Sequence, residues 1–146
     1  MTQQQRWLIG FYALIAVVAL VATWSQNLAY FGPDQTGDAG LAFLNATRIN
    51  PASRSITVDL LLLLLAAVAF MIIEARRLGV RFVWLYILLG FMIAISVTFP
   101  LFMIARELRV AKAPDIGGAW TLKAVDVAGI LVVTAIVVGL SWFVLR

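Results

Sequence analysis

The sequence has no cysteine and no histidine, and only 12% of its 146 residues are charged. The absence of both residue types excludes disulfides, thiol catalysis and the haem, zinc or copper sites that depend on histidine or cysteine ligands. Neither a phosphate-binding loop nor a pair of carboxylates with metal-ligand spacing is present. We therefore expect a protein that is not an enzyme and that holds no cofactor or metal.

Hydrophobic residues are abundant. They make up 64% of the chain, whose mean hydropathy is +1.03, whereas soluble domains are about 45–50% apolar. Four runs, residues 7–24, 56–73, 82–105 and 124–145, approach the roughly 20 residues that a helix needs to cross a ~30 Å hydrocarbon layer. We predict one all-α integral membrane domain over residues 1–146. It would be a four-helix up-down bundle with short connections and transmembrane helices at about 7–28, 55–76, 82–106 and 121–145.

Local signals add detail to this bundle. Asp38 is expected to cap a short helix in the first connection, whose apolar residues would lie on the membrane surface. Gly79 suits the left-handed C-terminal cap of the second helix. In the third helix, Gly90 and Ala94 form a small-xxx-small pair for close packing. Pro100 predicts a kink around residues 96–100, because proline frees a backbone carbonyl.

The basic residues bear on orientation rather than on nucleic-acid binding, because the net charge of +4 belongs to a mostly apolar chain. Four alternating spans would place Arg76, Arg77 and Arg81 on one side of the membrane and Arg106 and Arg109 on the other. Basic residues would then be nearly balanced across the membrane. The dense cluster after the second helix and the long first connection favour an inner-membrane protein with cytoplasmic N- and C-termini.

Two carboxylates lie near the starts of predicted membrane helices. An ionisable residue in a membrane segment is costly to bury, so its presence suggests a function. Asp59 and Asp126 would lie at similar depth on the same side, because the second and fourth helices run parallel. One interpretation is a proton- or cation-handling pair. The other is that each carboxylate complements its helix dipole and pairs with a basic neighbour, Arg54 or Lys123.

Two groups of charged residues would cap the bundle at opposite ends. Arg106, Glu107 and Arg109 end the third helix, where they would form a structural network or contact lipid phosphate, a partner subunit or the two aspartates. Glu74 with Arg76 and Arg77 ends the second helix, as a solvated turn that sets topology or as a docking patch for a partner.

A set of residues across the middle of the chain carries a family resemblance. It comprises Ser53 and Ser55 before Asp59, then Glu74, Arg76, Arg77 and Gly79, then Trp84, Pro100, Arg106 and Glu107. In this pattern, residues 50–109 resemble a family of small bacterial integral membrane proteins of unknown function, which implies a helical bundle. More weakly, the chain is similar to an accessory subunit found beside the permease of mammalian-cell-entry-type lipid import ABC transporters.

Three functions remain open at this point. The first is a non-enzymatic accessory or regulatory subunit of a larger inner-membrane complex, with membrane lipids and a permease as partners. The second is a small proton-, cation- or lipid-handling transporter that acts as an oligomer and uses Asp59 and Asp126. The third, an intramembrane enzyme acting on lipids, would have only carboxylates, Ser96 and Thr98 for its chemistry.

Overall fold

The computed structural model describes residues 1–31, residues 37–112 and six isolated positions between 124 and 135. The described residues are all-helical, as the sequence predicts. In chain order the elements are α1 (Gln3–Asn27), a 3₁₀ turn (Leu28–Phe31), α2 (Ala39–Ala46), α3 (Pro51–Leu78), α4 (Val83–Met92) and α5 (Ile95–Lys112). Two segments are long and apolar enough to cross a membrane, Gln3–Phe31 with a mean hydropathy of 2.2 and Pro51–Leu78 with 2.8.

The caps of α2 and α3 follow the local sequence. Asp38 accepts a hydrogen bond of 2.8 Å from the Gly40 N–H and starts α2, so the predicted short helix in the first connection is confirmed. Asn50 and Ser53 form a capping box at the start of α3, which satisfies backbone groups that the helix leaves free. Gly79 ends α3 at φ 67° and ψ 32°, the left-handed cap that the sequence predicts.

The third predicted span differs from the structure, which divides it into α4 and α5 with a break at Ile93 and Ala94. The two helices lie side by side in opposite directions. The rings of Tyr86 and Phe102 meet edge to face with centroids 5.8 Å apart, and a Cβ on Gly90 would lie 3.0 Å from the Thr98 Oγ1. Residues 83–112 therefore form a helical hairpin, and α4, with 10 residues, is only about 15 Å long.

The break lies before the predicted kink at residues 96–100. Pro100 is buried inside α5, which continues through it. The Ala94 carbonyl accepts backbone N–H bonds from Val97 and Thr98 at 3.1 and 3.2 Å, and the Ile93 carbonyl accepts the Trp24 indole N–H at 3.3 Å. The position of the break follows the packing of α4 on α5 rather than the proline.

The core lies between the C-terminal half of α3 and the α4–α5 hairpin. Its buried residues include Met71, Ala75, Val83, Ile87 and Phe102. Burial of these side chains holds the hairpin against α3, since each fully buried large apolar side chain contributes about 1.5–3 kcal/mol. On the other side of α5 lies α1.

The helix directions follow from the contacts. Phe70 packs near Phe99 at a centroid distance of 6.0 Å and Glu74 contacts Arg106, so α3 and α5 run the same way. Trp24 contacts Ile93, whereas Tyr12 lies within electrostatic reach of Arg106 and Glu107, so α1 runs the opposite way. The bundle thus has one end at which α1 begins and α3 and α5 finish.

The predicted fourth helix, at about 121–145, lies outside the described residues except at six positions. Those positions are helical and exposed, and they are Ala124, Val127, Ala128, Leu131, Val132 and Ala135.

Candidate functional site

The main polar feature of the described chain is a charge network of four side chains, Glu74, Arg77, Arg106 and Glu107. The Glu74 carboxylate, with a side chain only 9% exposed, accepts from the Nη2 of Arg77 at 2.9 Å and from the Nε of Arg106 at 2.8 Å. Arg106 also donates through Nη1 to the Glu107 Oε1. Two carboxylates and two guanidinium groups therefore balance one another where α3 and α5 meet.

Local helix geometry and tertiary packing each supply part of this network. Glu74 and Arg77 are three residues apart on α3, the spacing at which side chains on one helix face meet. Arg77 also lies in the last helical turn, where a positive charge complements the helix dipole. Arg106 comes from α5 and lies 32 residues after Glu74 in the chain. The network therefore ties the hairpin to the end of α3.

Glu107 is the most enclosed member of the charge network, with 1% of its surface exposed. Its Oε1 pairs with Arg106, while its Oε2 is the one buried side-chain oxygen or nitrogen without a hydrogen-bond partner in the described part of the chain. Buried acceptors are normally satisfied. Glu107 lies within electrostatic reach of Tyr12 of α1.

The two charged groups predicted at opposite ends of the bundle lie at the same end. Arg106 is hydrogen-bonded to Glu74 directly, so the C-terminal ends of α3 and α5, which carry Arg76 and Arg109, lie at the same end of the bundle. The prediction was wrong on this point because it treated residues 82–106 as one crossing. A hairpin returns the chain to the end from which it came.

Only one member of the candidate carboxylate pair lies among the described residues. Asp59 is exposed on the third turn of α3, about 22 Å along the helix from Glu74, and it takes no part in the charge network. Asp126 lies outside the described residues, so the pairing of the two aspartates stays a prediction.

Other possible sites in the described chain are sparse. No group of three or more His, Cys, Asp or Glu that would hold a metal ion occurs over residues 1–31 and 37–112. A shallow, open pocket of about 290 Å³ lies between the 3₁₀ turn, α2 and α3, with Tyr30, Phe43 and Ile56 in its wall. Its lining is mainly apolar and offers surface for hydrocarbon rather than for a charged ligand.

Two contacts at the hairpin break were missed by sequence analysis. Trp24 suits an interfacial anchor by its place at the end of an apolar run, but it donates to the Ile93 carbonyl. Thr98 is buried against Gly90 and its hydroxyl donates to the Ala94 carbonyl at 3.4 Å. The small-xxx-small pair of Gly90 and Ala94 was the available signal, since it indicates close approach of another helix.

Residues 11–108 match the family described as proteins of unknown function, DUF2834, and the chain belongs to this family. The match includes about two thirds of α1, all of α2, α3 and α4, and most of α5, so the charge network lies within it. No curated protein and no solved structure matches the chain.

Proposed function

We propose that this protein is a non-enzymatic accessory subunit of a larger inner-membrane complex, with α1 and α3 crossing the membrane. The observation that carries the proposal is the N-terminal half of α3. Leucines 60–63 and 65 are each at least half exposed, because the hairpin packs on the other half of this helix. Such an uncovered stretch of helix gains van der Waals contacts when another transmembrane helix packs against it.

The charge network supports a structural rather than a catalytic role for its residues. Glu74 and Arg106 use their polar atoms on each other and on their neighbours, which leaves few donors or acceptors for a substrate. The weaker resemblance to subunits of mammalian-cell-entry-type lipid importers gives a candidate partner, the permease of such an ABC transporter.

The hairpin suggests a definite arrangement in the membrane. A hairpin arm of about 15 Å reaches the middle of a ~30 Å hydrocarbon layer and no further. We propose that residues 83–105 enter and leave on the same side, as a re-entrant segment whose broken backbone is covered by α1. A predicted span over 121–145, outside the described residues, would then carry the C-terminus to the side opposite the N-terminus.

The hairpin also bears on orientation, because it collects basic residues at one end. This basic end comprises Arg6, Arg76, Arg77, Arg81, Arg106, Arg109 and Lys112. At the other end the described basic residues are Arg48 and Arg54. Since cytoplasmic segments carry the excess of Lys and Arg, we propose that the basic end and the N-terminus are cytoplasmic.

The test of the accessory role is native purification through a C-terminal tag in mild detergent, followed by mass spectrometry. A stoichiometric permease with its ATPase is the expected result. Leu61→Trp, on the exposed half of α3, should lower the recovered permease, whereas Leu85→Trp, equally exposed on α4, should not. Recovery of the tagged chain alone or as a homo-oligomer would contradict the proposal. Proton or cation flux would then be measured in wild type and Asp59→Asn.

A further inference from the structure

The basic end carries more positive charge than the charge network uses. The two acidic residues described there, Glu74 and Glu107, pair with Arg77 and Arg106. Arg76, Arg81 and Arg109 take part in none of the salt bridges found among the described residues, and Arg76 and Arg81 are exposed. At the opposite end, the described residues include two arginines, Arg48 and Arg54, and two aspartates, Asp38 and Asp59, so their formal charges cancel. Among the residues that the structure describes, the positive excess therefore lies at one end.

Exposed aromatic rings lie beside these guanidinium groups. Phe82 directly follows Arg81 and is 75% exposed, and Trp84 is 61% exposed. Phe82 adopts φ 60° and ψ 33°, a left-handed conformation that is uncommon for a bulky residue. Trp7, near the start of α1, is a third exposed ring at this end. Aromatic rings next to basic side chains are typical of the headgroup level of a membrane.

We propose that the basic end binds the phosphate groups of anionic phospholipids through Arg76, Arg81 and Arg109. Guanidinium groups bind phosphate oxygens with paired, charge-assisted hydrogen bonds. The rings of Phe82 and Trp84 insert at the boundary between headgroups and acyl chains, which holds the neighbouring arginines at phosphate depth. This inference rests on the proposed membrane location but not on the accessory role, because it concerns the isolated chain.

The test is quenching of tryptophan fluorescence by brominated lipids in vesicles that contain the purified protein. Vesicles of phosphatidylcholine carry either brominated phosphatidylglycerol or brominated phosphatidylcholine at the same mole fraction. Stronger quenching by the anionic lipid is the expected result. The triple variant Arg76→Gln, Arg81→Gln and Arg109→Gln should lower this preference by about fivefold or more. The double variant Arg48→Gln and Arg54→Gln, at the other end, should keep it.

Three results would overturn the proposal. One is equal quenching by the two lipids in wild type. Another is that inorganic phosphate abolishes the preference while chloride at equal ionic strength does not, because the site would then recognise free phosphate. The third is an unchanged preference in a triple variant that loses a co-purified protein partner, which would make the basic end a protein-docking surface. The melting temperature of each variant is measured first, and if the triple variant is unfolded, Arg81→Gln alone replaces it.

Discussion

At the break between α4 and α5, Trp24 supplies a hydrogen-bond donor that the hairpin itself lacks. Its indole N–H reaches the Ile93 carbonyl at 3.3 Å, while its ring stacks on Phe31 with centroids 6.3 Å apart. A carbonyl that ends a helix away from water needs such a partner, because an unsatisfied buried polar group is costly. One side chain of α1 therefore stabilises the turn of a distant hairpin.

Trp24→Phe keeps a ring at this position but removes the donor. We expect the free energy of unfolding to fall by about 1 kcal/mol, because a part-buried carbonyl loses its hydrogen-bond donor. Denaturant unfolding in micelles, followed by circular dichroism, measures the change. Trp84→Phe is the control, because Trp84 is exposed and its indole makes no hydrogen bond with the described residues. Equal stability of the two variants would contradict the role of Trp24.

The closeness of Gly90 to Thr98 gives a second prediction at the residue scale. Gly90→Ala places a Cβ 3.0 Å from the Thr98 Oγ1, and because Thr98 is buried and has little room to shift, we expect a loss of about 1 kcal/mol. Gly10→Ala, where a Cβ would meet nothing within 4 Å, should not destabilise the protein. Thermal melting in detergent compares the two. Combining Gly90→Ala with Thr98→Ala should cost less than the sum of the single changes, and strict additivity would exclude this clash.

At the scale of whole elements, the sequence predicts the helices well but not the break that divides the third predicted helix into α4 and α5. The caps of Asp38 and Gly79 depend on neighbouring residues, so local chemistry is enough to find them. The apolar run over 82–105 is equally compatible with one crossing or with two shorter antiparallel arms, because hydropathy records length and not direction. The contact of Glu74 with Arg106 follows only once the direction of α5 is known, so the charge network was not predicted.

The charge network fixes the hairpin to α3, and its loss gives a prediction at this scale. Arg106→Gln leaves Glu74 and Glu107 without their shared partner, and we expect a destabilisation of about 3 kcal/mol, as for a broken buried ion pair. A double-mutant cycle compares Arg106→Gln, Glu74→Gln and the double variant by denaturant unfolding. The double variant should lose less unfolding free energy than the sum of the two single changes. Arg76→Gln, an exposed arginine next to the same turn, is the control. Variants as stable as this control would show that the network does not hold α3 and α5 together.

The whole molecule is suited to a direct test of its arrangement, because the chain has no cysteine. Single cysteines at Arg81, Lys112 and Arg48 can be labelled in spheroplasts with an impermeant maleimide. We expect Arg81→Cys and Lys112→Cys to be protected and Arg48→Cys to react, since in the proposed arrangement the hairpin enters and leaves on the cytoplasmic side. All three should react after permeabilisation. Opposite accessibility of positions 81 and 112 would show that residues 82–106 cross the membrane.

The hydrogen bond between Trp24 and Ile93 also bears on the order in which the helices come together during synthesis. During synthesis α1 leaves the ribosome some seventy residues ahead of the hairpin turn, as the separation of 69 positions requires. The hairpin reaches its native hydrogen bonding only when α1 is already beside it. An insertion machine that released α1 into bulk lipid too early would leave the later segment with an open carbonyl at its tip. In the proposed re-entrant arrangement, α1 would thus already be in place to supply the Trp24 N–H when the hairpin inserts.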